Sequence, residues 1–103
     1  MALGKLEKIS VNTDLIKSFD LLLMATINAD NDGERGQIFG EISYDGGNTW
    51  SWNAVASVHY HVGSGTHVTH NSFLLPIPKN TPFRVRTNFA FGTPAAHAWI
   101  MSI

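Results

Sequence analysis

The chain has no cysteine, which removes disulfide frameworks, thiolate metal sites and cysteine nucleophiles from consideration and leaves the redox compartment open. Charge is scarce as well. Asp, Glu, Lys and Arg make up 15% of the residues, against roughly 25% in an average soluble chain. The seven Lys and Arg are scattered and the net charge is −1, so no basic stripe exists to displace counterions from a phosphate backbone, and nucleic acid is not an expected partner. No apolar run approaches the ~18 residues a membrane-spanning helix needs, so membrane insertion is not expected. The first twenty residues hold Lys5, Glu7, Lys8, Asp14, Lys17 and Asp20, with no apolar core of signal-peptide length. Synthesis in the cytosol without a signal peptide is therefore expected. Phosphate-cradling glycine loops and nucleophile elbows are also missing, because Gly63-Ser64-Gly65 lacks the strand-to-helix setting such an elbow requires.

What is present is hydrophobic, at 44% of 103 residues. A chain this short buries only a modest fraction of its surface. With so few charges, part of its exterior must be apolar or merely polar, and such a surface is expected to be covered by another subunit.

Period-two alternation dominates. Phe83, Val85, Thr87, Phe89 and Phe91 alternate with Arg84, Arg86, Asn88 and Ala90, a half-buried strand. Ile38, Gly40, Ile42 and Tyr44 alternate with Gln37, Phe39, Glu41 and Ser43. Trp50, Trp52, Ala54, Ala56, Val58, Tyr60 and Val62 read as one core-facing side of a long strand. Phe19 to Ile27 is apolar on both faces and reads as a strand buried on both sides. Leu6 to Val11 opens the chain and Ala95 to Ile103 closes it, while Thr13 to Lys17 is ambiguous. Pro76 and Pro78 place their segment at a sheet edge or a crossing between sheets. About seven strands with no helix predict an all-β fold: a single domain over residues 1–103, built as a two-sheet antiparallel β-sandwich of jelly-roll type.

Ser43-Tyr44-Asp45-Gly46-Gly47-Asn48-Thr49-Trp50 is a complete strand-turn-strand device. Asp45 can accept backbone N–H bonds, the glycines supply positive φ, and the Thr49 hydroxyl can close the loop. The eight residues resemble the Asp-box of sialidase propellers, a folding element that in that family lies away from the glycan site. A single copy in so short a chain implies a hairpin and not a propeller. The passage from Ser72 through Pro76, Pro78, Lys79-Asn80 and Pro82 to Val85 resembles trimeric jelly-roll domains of tumour-necrosis-factor shape, found in phage fibres and decoration proteins and in bacterial lectins. That resemblance implies a homo-oligomer, a trimer.

Four of five histidines fall between His59 and His70. His59 and His61 share one strand face. A Gly63–Gly65 turn sets His61 opposite His67, and a two-residue turn sets His59 opposite His70. An H-x-H strand around a threefold axis would offer a divalent metal six imidazole nitrogens. No nearby carboxylate orients the rings, so exposed polar or interface side chains are the preferred reading, with no metal and no cofactor. Asp30, Asp32 and Glu34 share a loop that lacks the twelve-residue calcium pattern and reads as a solvated turn. Trp99 and His97, on the face opposite Ala98 and Ile100, are candidates for a ligand or an interface, together with Arg84, Arg86, His59 and His61. Arg84 and Arg86 are expected to meet carboxylates such as Glu41.

No pair of titratable groups stands out for acid–base work, so a non-enzymatic role is expected: a virion structural protein, either a capsid decoration or a fibre-tip component, contacting other virion proteins. The alternative is a soluble oligomeric lectin that binds a surface glycan. A cupin-like metal enzyme is set aside because no Glu follows Glu41.

Overall fold

A computed structural model describes residues 3–60 and 70–103, and of His70 only the backbone. Eight strands follow in order: β1 (Glu7–Ile9), β2 (Asp14–Leu15), β3 (Leu21–Asn28), β4 (Arg35–Ile42), β5 (Ser51–His59), β6 (His70–Ile77), β7 (Phe83–Phe91) and β8 (Ala95–Ser102). Among the described residues there is no helix. The strands form two four-stranded sheets, β1-β8-β3-β6 and β2-β7-β4-β5, and every pairing is antiparallel. The chain crosses repeatedly from one sheet to the other, in the strand order of an eight-stranded jelly roll. The expected β-sandwich is therefore the fold, with eight strands instead of about seven. The additional one is β2, two residues within the ambiguous Thr13 to Lys17 stretch, where Asp14 pairs with Arg84 and Leu15 with Phe83.

Alternation explains the core. Leu21, Leu23, Ala25 and Ile27 on β3, Leu75 and Ile77 on β6, and Ala98 and Ile100 on β8 face inward from the first sheet. Ile38 and Ile42 on β4, Ala56 and Val58 on β5, and Phe83 and Val85 on β7 meet them from the second. A Cβ on Gly40 would stand 2.8 Å from the Phe73 ring and 3.0 Å from Leu75, so glycine lets the sheets close up there. Pro76 lies on β6, an edge strand, where its missing N–H costs no ladder bond.

Two expectations are corrected. The outer side of β3 (Leu22, Met24, Thr26, Asn28) is only half-buried, so the strand is covered on one side and not both. The long aromatic face of β5 also breaks. Gly40 pairs with Ala54, but Glu41 pairs with Trp52, which leaves Asn53 as an extra residue in a bulge. One inserted residue reverses every side chain beyond it. Ala56, Val58 and Tyr60 are buried as expected, whereas Trp52 is turned outward and is 69% exposed.

Candidate functional site

The Ser43–Trp50 turn closes one end of the second sheet. Thr49 donates its backbone N–H to Asp45 Oδ1 at 2.9 Å and its hydroxyl to Oδ2 at 2.5 Å. The Ser43 hydroxyl donates to Oδ1 at 2.8 Å and accepts the Gly47 N–H at 2.8 Å. Gly46 and Gly47 carry φ of 74° and 98°. The Thr49 hydroxyl, followed by the Thr49 and Ser43 donors, lowers the Asp45 pKa from 3.8 to about 2, since hydrogen bonds to a carboxylate favour its charged form. The turn's contribution is then complete above pH 3.8 and is lost as pH falls toward 2. In urea titrations, the stability gap between the protein and its Asp45→Asn variant should be constant above pH 4 and close on acidification. A gap that does not vary with pH would contradict this account of the turn.

Glu34 performs a related task at the opposite end. It is buried, and its carboxylate accepts the N–H groups of Asp30 (3.0 Å), Asn31 (2.9 Å) and Thr93 (3.2 Å). The Asn31 N–H leads in holding its pKa below the ordinary value, against the opposing effect of burial. Glu34 thus ties the β3–β4 loop to the β7–β8 turn, where Gly92 has φ of 68° and a Cβ would meet Glu34 Cγ at 2.8 Å. Three donors already occupy the carboxylate, so the loop is a structural clasp.

His61 and His67 lie outside the described residues. The His59–His70 register is not formed: β5 and β6 belong to different sheets, with His59 opposite Arg35 and the His70 backbone opposite Asn28. β5 and β6 therefore form no ladder with each other. The Asn71 amide instead donates to the Ser57 carbonyl across the gap. Among the described residues, no three His, Cys, Asp or Glu side chains converge.

The outward side of the second sheet carries two linked groups. Glu41, 5% exposed, accepts the Arg84 Nε–H at 2.9 Å. The Arg84 guanidinium lies 4.0 Å from the centre of the Trp50 ring and 3.7 Å from Asp14 on β2. Arg84 therefore meets the expected carboxylate on the neighbouring strand and is tied into the fold. One step along, the Trp52 ring stacks on Phe39 with centroids 4.7 Å apart and planes at 29°. Phe39 is opposite Arg86, whose side chain is exposed. Beyond Phe39 a cleft of about 520 Å³ opens among Arg35, Gln37, Ser57, His59, Asn71 and Asn88.

The outward side of the first sheet is different. Trp99 and Met101 project from β8, opposite buried Ala98 and Ile100 as the sequence implied, and the His97 ring lies 6.0 Å from that of Trp99. The register sets Lys8, Trp99, Met24 and Leu74 in one row, and Met101, Leu22 and Pro76 in the next. Leu74 is 63% exposed. A depression of about 500 Å³ bordered by Asp20, Pro76, Ile77, Pro78 and Ile103 extends this surface. The apolar outer residues of β3 were the sequence signal for it; the outward tryptophans of the second sheet had no such signal, because bulges leave no periodic trace. Compared with family models, curated proteins and solved structures, the chain matches none.

Proposed function

We propose that this chain is a non-enzymatic structural protein of a virion, a capsid decoration or fibre-tip component, that assembles as a homotrimer through the outer face of its first sheet. The observation that carries this reading is the apolar surface of Leu22, Met24, Leu74, Pro76, Trp99 and Met101, on which Leu74 and Pro76 are exposed and the others half-buried. Further copies of the chain are the occupants, because Lys8 is the one charged group in those rows, and around a threefold axis each copy meets its two neighbours through different parts of the face. Three eight-residue strands and the three-residue β1 at ordinary spacing give a footprint of about 400 Å² per subunit. Three such faces around one axis bury about 1,200 Å² together, at the low end of the range for specific assemblies. Support for the virion comes from the jelly-roll strand order, which capsid domains use, and from the Ser72-to-Val85 resemblance.

Equilibrium sedimentation should give the mass of three chains for the protein and of one chain for Leu74→Glu, a substitution at an exposed position that the fold tolerates. A native protein that stays monomeric at micromolar concentration would overturn the assembly. Flanking genes should encode capsid or tail proteins, and a gene set for metabolism would remove the virion.

A further inference from the structure

We propose that the outer face of the second sheet is a binding surface for an acidic carbohydrate, with Trp52 as the stacking platform, Arg86 beside it as the group that meets the carboxylate, and Arg35 further along the cleft. The site lies on the sheet opposite the assembly face and does not depend on assembly.

The Trp52 indole is 69% exposed and is held in place. Phe39 supports it from beneath at 4.7 Å, and Phe39 is itself 7% exposed, so the ring pair is ordered before any ligand arrives. A fixed flat ring is the surface on which the C–H face of a pyranose packs, and prior ordering reduces the entropy lost on binding. Sugar hydroxyls also need neutral donors and acceptors close to the ring. Gln37 lies two residues from Phe39 on the same side of β4, about 6.6 Å along the strand, near the length of one sugar unit. Ser57 and Asn88 flank Gln37 in the register, and all three border the cleft.

Charge selects the class of sugar. Arg84 is neutralised by Glu41 and Asp14, whereas Arg35 and Arg86 are exposed and make no ion pair among the described residues. On the described outward positions of β4, β5 and β7 the one carboxylate is Glu41, already engaged. Each guanidinium, Arg86 beside the Trp52–Phe39 pair and Arg35 in the cleft, suits a carboxylate by paired N–H bonds. The ligand is accordingly an oligosaccharide containing a uronic or sialic acid.

Titrating ¹⁵N-labelled protein with trigalacturonate or 3′-sialyllactose, with lactose as the neutral comparison, should shift the Trp52 indole and Gln37 amide signals with a dissociation constant in the millimolar range or tighter. Trp52→Ala should weaken binding at least tenfold. Arg86→Ala, at an exposed position, should abolish the preference for the acidic sugars and leave the fold unchanged. The absence of shifts at 10 mM for both acidic probes would overturn the proposal, as would equal affinity for lactose. Shifts on this face that follow protein concentration and not sugar would assign it to another copy of the chain and likewise overturn it.

Discussion

Phe83→Ala should lower unfolding stability by about 4 kcal/mol, a quarter or more of the ~5–15 kcal/mol expected for a domain of this size, and drop the melting temperature by roughly 20 °C. Phe83 is the largest wholly buried side chain among the described residues, at 0% exposure. It enters the core from the first residue of β7, paired with Ile42 on β4 and Leu15 on β2. Truncation removes the ring's burial and leaves a hole that neighbours on fixed ladders cannot collapse into, so the cavity adds to the transfer loss. β2 adds to the sensitivity, because its two residues pair with no strand but β7 and Leu15 packs against this core. Phe89, on the same face but 37% exposed, is the comparison: its truncation should cost about 1 kcal/mol. Urea midpoints measured at unchanged slope would register both changes. Equal losses at the two positions would mean that burial does not set the core's energetics.

That contrast was half visible in the sequence. The alternation from Phe83 to Phe91 gave both phenylalanines the same face, and the structure keeps them there; what differs is position along the strand. Phe83 sits where both sheets overlap, and Phe89 sits near the end where the strand is paired around a bulge between Arg35 and Gly36. Period two identifies a face, but depth depends on which strands stack opposite, and that is a tertiary fact. Trp52 shows the same limit more severely. Its spacing from Ala54, Ala56 and Val58 reads as core, yet one unpaired Asn53 turns it out onto Phe39. A bulge is decided by the competition between register and packing, and Asn53 carries no local mark of it. By contrast, Asp45, Thr49 and the glycines of the turn were legible because their bonds close within five residues. Pro76 was legible because a missing N–H restricts it to an edge. The apolar outer side of β3 was visible too, although the structure leaves that side half-buried where the sequence reads as complete burial.

Arg84→Met should destabilise the protein by about 3 kcal/mol, more than loss of an exposed ion pair could explain. Glu41 is 5% exposed and sits between Arg84 on β7 and Trp52 on β5 in the register. Its Oε1 takes the Arg84 Nε–H at 2.9 Å, and the guanidinium in turn is roofed by Trp50 at 4.0 Å. Removing the cation strands a carboxylate away from water with its principal donor gone, and that desolvation cost, not the pair's net attraction, sets the size of the effect. The double variant Glu41→Leu with Arg84→Met tests the distinction. Replacing both charges by apolar groups removes the stranded carboxylate and keeps the volume, so stability should return to within about 1 kcal/mol of the native protein. Loss of the Trp50 contact adds a cation–π term of roughly 1 kcal/mol, which Arg84→Lys should partly retain. If the double variant were as unstable as the single one, the pair itself would be supplying the stability. If Arg84→Met cost under about 0.5 kcal/mol, Glu41 would have to reach water at this face, contrary to its burial beneath the tryptophan-lined surface.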